Sequence, residues 1–168
     1  MTTMIHSMAQ ELAQEAATTR RLLERVPEDR LGWAPHPKSM TLGQLALHVA
    51  TIPGDLSGMA QLPEFDAVNA NFDPPAPERK QQLLEVLDTS VAKAAAYFAQ
   101  LTPESAGEFW KLTLRGNEVF SIPRIGLLRS ILLNHWYHHR GQLSVYLRLL
   151  DVPVPVIYGR SADENPFA

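Results

Sequence analysis

The stretch that most constrains the fold is residues 128–150, because its apolar residues recur with the period of an amphipathic helix. His135 and His139 lie in the middle of that apolar stripe, four residues apart, so their rings share one helix face. Each neutral imidazole has a donor and an acceptor that burial leaves unpaired unless partners surround it, and a metal ion would meet that need. Arg140 lies off the stripe, where we expect a structural ion pair. The apolar members of the stripe are Leu128, Ile131, Leu132, Leu143, Tyr146, Leu149 and Leu150.

Three earlier segments show the same helical period, which predicts an all-α protein. They cover residues 3–25, 41–60 and 77–101, and the last helix is predicted over 123–150. Pro53 interrupts the second segment, but the apolar period resumes after it, so we expect this helix to continue with a kink. Four long amphipathic helices predict an up-and-down type four-helix bundle, in a single domain that spans residues 1–168.

The segments between the helices predict less regular structure. Residues 110–114 and 119–122 alternate on both sides of Arg115-Gly116-Asn117-Glu118, which predicts a small β-hairpin before the last helix. Residues 61–76 are rich in Pro, Asn and Asp and predict a long loop that can border a pocket. The tail after residue 150 contains three prolines and predicts an irregular segment along the surface.

Composition excludes several classes of function. A net charge of −3 argues against a nucleic-acid partner, which requires a clustered basic surface. Cysteine is absent, which excludes disulfides and thiolate metal sites, so any transition-metal site must use histidine and carboxylate ligands. No basic stretch followed by an apolar run begins the chain, and no apolar run is long enough to cross a bilayer. We therefore expect no membrane partner and a cytoplasmic location.

His48 supplies a third imidazole on the core face of the second helix. If that helix packs against the last one, His48 can meet His135 and His139. Three imidazoles around one ion leave positions for water or substrate, which distinguishes a catalytic metal site from a structural one. The ion would lower the pKa of a bound water or thiol. The competing interpretation is a set of hydrogen-bonded core histidines without metal, and the spacing leaves both open.

Four polar residues near these histidines are candidates for lining a pocket or supporting the ligands: Gln44, Asp55, His138 and Gln142. Gln44 also completes a capping box with Thr41. Asp55, about two turns after His48, is either an extra ligand or acceptor or a solvated residue after the kink. His138 lies at the edge of the stripe as an outer histidine, and Gln142 can bind a group or join helices. No side chain is a clear general base, so the catalytic residues are unassigned.

Residues 135–143, HWYHHRGQL, resemble the H-x-x-x-H-R-G-Q-[LV] signature of the DinB-like superfamily, which includes the YfiT-like metal hydrolases. Residues 41–48, TLGQLALH, are similar to the ligand segment on the second helix of that family. The tail over 152–164 is similar to endings common in one DinB branch. The resemblance covers most of the chain, and the combination of the three segments is specific.

The resemblance implies a four-helix bundle, often a homodimer, with a three-histidine site for a divalent metal such as zinc or nickel. The family's ligands match His48, His135 and His139, and its additional histidine, a non-ligand, matches His138. Characterised relatives are thiol-dependent transferases or isomerases that use bacillithiol, mycothiol or related thiols, and the family name does not imply DNA binding. Met40 stands where the family usually has a tryptophan, a difference that bears on the pocket lining.

The leading hypothesis is a divalent-metal-dependent thiol S-transferase or hydrolase that acts on a small electrophilic substrate. A low-molecular-weight thiol is a candidate co-substrate, and a second copy of the chain is the expected protein partner. One alternative is a non-catalytic metal- or ligand-binding stress-response protein. Another is a structural bundle without metal.

Overall fold

Four long amphipathic segments form helices, in the places where the sequence predicts them. The fold comes from a computed structural model, which describes residues 4–71 and 75–167. Helix α1 spans Met4–Glu24, α2 spans Leu42–Gln61 and α3 spans Lys80–Gln100. The predicted start of the first helix, Thr3, lies outside the described residues. Shorter helical turns occupy Glu28–Arg30, Ala67–Asn69 and α4, which spans Pro103–Gly107.

The last helical stretch differs from the single α-helix predicted over 123–150. It begins with a short helix α5, Arg124–Leu127, continues as a π-helix over Leu128–Asn134, and ends as α6, His135–Leu149. A π-helix has more residues per turn than an α-helix. An apolar stripe that is predicted with 3.6 residues per turn therefore points in a different direction after the π-helix. Leu149, predicted in the core, is 57% exposed. The residues that α6 buries are Trp136, Arg140, Leu143 and Leu147.

Helix α2 packs against α3 and against α6, while α1 packs against α3 and also contacts α6. Apolar side chains from all four long helices form one core, with Leu12, Leu45, Leu87 and Leu143 among its buried members. The mostly helical class is confirmed, and the up-and-down order of a four-helix bundle stays a prediction. Within residues 4–71 and 75–167, no helix has the length and apolar character that crossing a membrane requires.

A capping box fixes the start of α2 and thereby the position of His48. The Thr41 hydroxyl accepts a hydrogen bond from the Gln44 main-chain N–H at 3.2 Å. The Gln44 side-chain oxygen accepts in turn from the Thr41 N–H at 2.9 Å, so two of the unpaired donors at the helix start are satisfied. The predicted capping pair is confirmed.

Pro53 lies inside α2, and the helix continues past it to Gln61, as predicted. Proline has no N–H, so the Val49 carbonyl lacks its usual donor four residues later. The Trp136 indole N–H donates to that carbonyl at 2.8 Å. The next main-chain donor, Gly54 N–H, bonds the Ser90 hydroxyl of α3 at 2.7 Å. Side chains from α6 and α3 therefore bond main-chain groups of α2 on the two sides of Pro53.

The predicted β-hairpin is present, with somewhat longer strands. Strand β2 spans Phe109–Leu114 and pairs antiparallel with β3, Asn117–Pro123. The two turn residues, Arg115 and Gly116, have φ values of 53° and 77°. Positive φ at both positions is the geometry of a type I′ turn, whose twist matches that of the paired strands.

A third strand lies in the segment predicted as a loop over residues 61–76. Strand β1, Glu64–Asp66, pairs parallel with β2, so that the sheet order is β1-β2-β3. The Asp66 carboxylate accepts hydrogen bonds from the Gly116 and Arg115 N–H groups at 2.9 and 3.1 Å. The prediction of a loop is wrong here because three residues are too few to show alternation. Residues 72–74 of that predicted loop lie outside the described part.

The tail has no regular structure, as predicted, and acidic side chains hold it against two helices. Glu164 forms ion pairs with Arg21 of α1 and with Arg25, the residue directly after that helix, at 2.5 and 2.9 Å. Asp163 forms an ion pair with Arg148 of α6. The tail therefore lies against α1 and α6.

Replacing Gly54 by alanine is expected to destabilise the protein. A Cβ at this position would lie 2.9 Å from the Ser90 Cα, a main-chain atom that can yield only if α3 shifts. We expect a loss of about 1–3 kcal/mol, the usual cost of overpacking, measured by chemical denaturation. Gly58→Ala in the same helix is the control, because its Cβ would meet nothing within 4 Å. That variant should gain roughly 0.5–1 kcal/mol from helix propensity, and equal effects in both variants would contradict the close approach of α2 and α3.

Acid is expected to release the tail. A hydrogen bond from Arg148 lowers the pKa of Asp163 below its ordinary value of 3.8. A hydrogen bond from the Val156 N–H lowers that of Glu164 below 4.5. Lowered carboxyl pKa values stabilise the attached tail above the ordinary values, and this contribution is lost as pH falls through the folded-state values.

Hydrogen exchange of the Val154 and Val156 amides measures this release, because they donate to Asp163 and Glu164 at 2.9 Å. Their protection, corrected for intrinsic rates, should persist at neutral pH and fall in acid, while the Leu45 amide inside α2 stays protected. Glu164→Gln should lower the protection of Val156 already at neutral pH. Tail protection that is unchanged well below both ordinary pKa values would contradict the attachment by charge.

Candidate metal site

Three imidazole rings from two helices converge between α2 and α6. The Nε2 atoms of His48 and His135 are 3.3 Å apart. The centroid of the His139 ring lies 4.6 Å from that of His48 and 4.5 Å from that of His135. One possible ligand atom from each residue lies within 4.8 Å of the others. The structure therefore brings together the three histidines that the sequence singles out.

All three rings are half-buried, and burial is the largest influence on their charge. It lowers the pKa of His48 to about 4, and the rings of His139 and His135 act in the same direction. Burial also lowers the pKa values of His135 and His139 from their ordinary value. Because a metal binds the neutral form of imidazole, a site that disfavours the imidazolium is prepared to accept an ion.

Hydrogen bonds orient two of the rings. The His139 Nδ1–H donates to the Gln142 side-chain oxygen at 2.7 Å, which leaves the lone pair of Nε2 available. The main chain of Ile131 forms a hydrogen bond with the His135 ring that raises its pKa, the effect of a carbonyl acceptor. Partners of this kind hold metal-binding histidines in other proteins. Gln142 thus has the supporting position that the sequence proposes for it.

The geometry fits a divalent ion. Tetrahedral Zn²⁺ with bonds of about 2.0–2.1 Å to nitrogen places two ligand nitrogens about 3.3–3.4 Å apart. The separation of the His48 and His135 Nε2 atoms, 3.3 Å, already has this value. Among the described residues, the group contains three imidazoles and no carboxylate, a donor set that suits zinc and nickel. Three protein ligands also leave a coordination position for a further group.

The other predicted pocket residues lie around this group rather than in it. His138 is exposed, and its ring centroid is 4.9 Å from that of His139. Gln44 is part of the capping box at the start of α2. Asp55 is exposed and lines a cavity between α2 and α3, together with Glu85 and Lys93. The structure therefore places Asp55 in a cavity beside α3 and does not bring it into the histidine group.

The prediction that Arg140 lies away from the buried face of its helix is wrong. The expected ion pair is present, with the guanidinium 2.5 Å from the Glu15 carboxylate, but Arg140 is buried and only 1% exposed. The guanidinium also donates to the Thr19 and Tyr158 hydroxyls. Arg140 thus joins α6 to α1 and to the tail, next in the chain to His139. The feature that could have predicted a buried Arg140 is Glu15, an acidic residue on α1 close to the apolar stripe of that helix.

Trp136 and Met40 also have roles that the sequence did not indicate. The Trp136 side chain is fully buried and donates to α2, one residue after His135. The Met40 carbonyl accepts from the Tyr146 hydroxyl at 3.3 Å, which ties the chain before α2 to α6. The sequence could have indicated a hydrogen bond from Trp136, because the indole N–H of a buried tryptophan usually has an acceptor.

Comparisons with known proteins agree with the fold. The DinB family matches residues 1–165. An uncharacterized protein of Bacillus subtilis, YrdA, is 28% identical over 151 residues, which are 89% of this chain and 85% of that protein.

Two solved structures share the fold. A DinB-like protein from Bacillus cereus has a TM-score of 0.73 at 22% identity, covering 94% of this chain and 100% of that one. A DinB-like protein from Bacillus subtilis, YjoA, has a TM-score of 0.67 at 21% identity, covering 89% and 96%. The family match covers 165 of the 168 residues of the chain. The chain therefore belongs to the DinB family.

Proposed function

We propose that this protein binds a divalent metal ion through His48, His135 and His139 and uses it to act on a small electrophilic substrate. The observation that carries the proposal is the convergence of three imidazole nitrogens within 4.8 Å, from two helices, in a half-buried setting. Membership of the DinB family supports it. The reaction is either transfer of a thiol to the electrophile or its hydrolysis.

The chain's own residues prepare the site before any ion enters. Burial lowers the pKa values of all three rings and so favours their neutral form, and Gln142 holds the His139 ring through its Nδ1. Three neutral ligands contribute no charge, so they do not offset the charge of a divalent ion. The bound ion supplies Lewis acidity, which lowers the pKa of a bound water or thiol. Partial exposure of the rings leaves a route for solutes, and Gln44 and His138 are candidates for lining it.

Zinc and nickel are the ions we favour, because three imidazoles suit both. The chain contains no cysteine, so the sulfur of a thiol-transfer reaction must come from a small thiol in solution. We retain as predictions a homodimer, a cytoplasmic location and a single domain over residues 1–168. A non-catalytic metal- or ligand-binding protein of a stress response uses the same three histidines and is the alternative.

Replacing one ligand is expected to abolish tight metal binding. In His135→Ala and His48→Ala, affinity for zinc should fall at least about 100-fold, because loss of a ligand exceeds the usual cost of losing a group that supports one. The measurement is metal content after zinc loading and dialysis, together with titration calorimetry. His138→Ala is the matched control, since this exposed histidine lies in the same helix and outside the group. Equal metal content in wild type and His135→Ala would overturn the metal site.

A substrate screen separates the enzyme from the binding protein. Metal-loaded wild type is incubated with several small thiols and electrophiles, and both conjugation and hydrolysis are followed. We expect turnover by wild type that His48→Ala and His135→Ala both lack. Inactivity of the loaded protein across the screen would favour the non-catalytic alternative, while leaving the metal site itself intact.

A further inference from the structure

One hydrogen bond joins α2 and α6 at the level of the histidines. The Trp136 indole N–H donates to the Val49 carbonyl at 2.8 Å. Val49 follows His48 directly in the chain, and Trp136 follows His135. The bond therefore joins the Trp136 side chain to the α2 main chain, and each partner adjoins in sequence one of the two histidines whose Nε2 atoms are 3.3 Å apart.

The N–H that Pro53 lacks leaves a place for this bond. Pro53 has no N–H, so it cannot supply the donor that the Val49 carbonyl has in a regular helix. Val49 and Trp136 are both 0% exposed, which means that water cannot replace the missing donor. A buried carbonyl and a buried indole N–H each require a partner, and here each satisfies the other.

The orientation of the first residues of α6 depends on this hydrogen bond in particular. The π-helix ends at Asn134, and α6 begins at His135, so the rotation of the first α6 residues is not set by an uninterrupted α-helix. Two hydrogen-bond partners, the Val49 carbonyl and the indole, fix that rotation relative to α2. Metal binding demands such precision, because ligand atoms must lie within about 0.2 Å of their proper distances.

We propose that Trp136 is a positioning residue for the metal site. With the carbonyl that Pro53 leaves free, it holds His48 and His135 at the separation that an ion requires, before the ion binds. Preorganisation of this kind raises affinity, since the cost of ordering the ligands is met during folding. This inference rests on the proposed metal-binding role of the three histidines.

A second tryptophan provides a matched control. Trp110 is 1% exposed, and its indole N–H also donates to a carbonyl of α2, that of Met59, at 3.2 Å. Neither Trp110 nor Met59 adjoins a histidine of the site. A purely structural role predicts that both tryptophans affect stability and neither affects a bound metal selectively.

The test compares Trp136→Phe with Trp110→Phe. Melting of the metal-free proteins, zinc affinity by competition with a chromogenic chelator, and the visible spectrum of the Co²⁺-loaded proteins are measured. Both variants should melt earlier than wild type. Trp136→Phe should bind zinc about 10–100-fold more weakly, the usual effect of removing a group that orients a ligand, with an altered Co²⁺ spectrum. Trp110→Phe should keep wild-type affinity within about twofold and the wild-type spectrum.

Pro53→Ala tests the hydrogen bond between Trp136 and Val49 without changing the indole. It restores an N–H that competes for the Val49 carbonyl, so zinc affinity should fall, and Trp136→Phe should add little in that background. This variant also decides the question if Trp136→Phe does not fold. Wild-type affinity and spectrum in the folded variants, or an equal loss in Trp110→Phe, overturn the positioning role alone. Folded wild-type protein that binds no zinc or Co²⁺ overturns the positioning role and the proposed function together.

Discussion

The break that Pro53 makes in the hydrogen bonding of α2 determines how the other long helices surround it. Two main-chain polar groups near Pro53 are bonded by side chains of other helices, the Val49 carbonyl by Trp136 and the Gly54 N–H by Ser90. Leaving the Val49 carbonyl buried and unpaired would cost about 1–3 kcal/mol, so α6 must lie within hydrogen-bond distance of it. The candidate metal site lies between α2 and α6, where His48 of α2 meets His135 and His139 of α6.

Much of this arrangement follows from sequence periodicity and local chemistry. The period of apolar residues is sufficient to identify the long helices, because burial of one helix face is a repeating constraint. The capping pair at Thr41 and the turn at Gly116 depend only on neighbouring residues, which is why they were predictable. The sequence could predict that His48 meets the pair on the last helix, because these half-buried rings lie beside the faces that α2 and α6 bury.

Features that depend on distant partners were not predictable in this way. The π-helix changes the phase of the last helix, and nothing in the spacing of its apolar residues marks that change. Strand β1 is too short for a pattern and exists because β2 offers a free edge. Arg140 is buried because Glu15 on another helix compensates its charge, and a helical wheel of α6 alone assigns it to the surface. The hydrogen bond from Trp136 to Val49 belongs to the same class, because its acceptor lies on another helix.

The parallel pairing of β1 with β2 has a consequence for the order of folding. The paired residues, Glu64 with Lys111 and Asp66 with Thr113, are separated in the chain by the whole of α3 and α4. Closing so long a loop is entropically unfavourable until α3 has docked on α2, whereas the β2–β3 turn closes locally. We therefore expect the hairpin to form early and its third strand to join late, which makes β1 a reporter of completed helix docking.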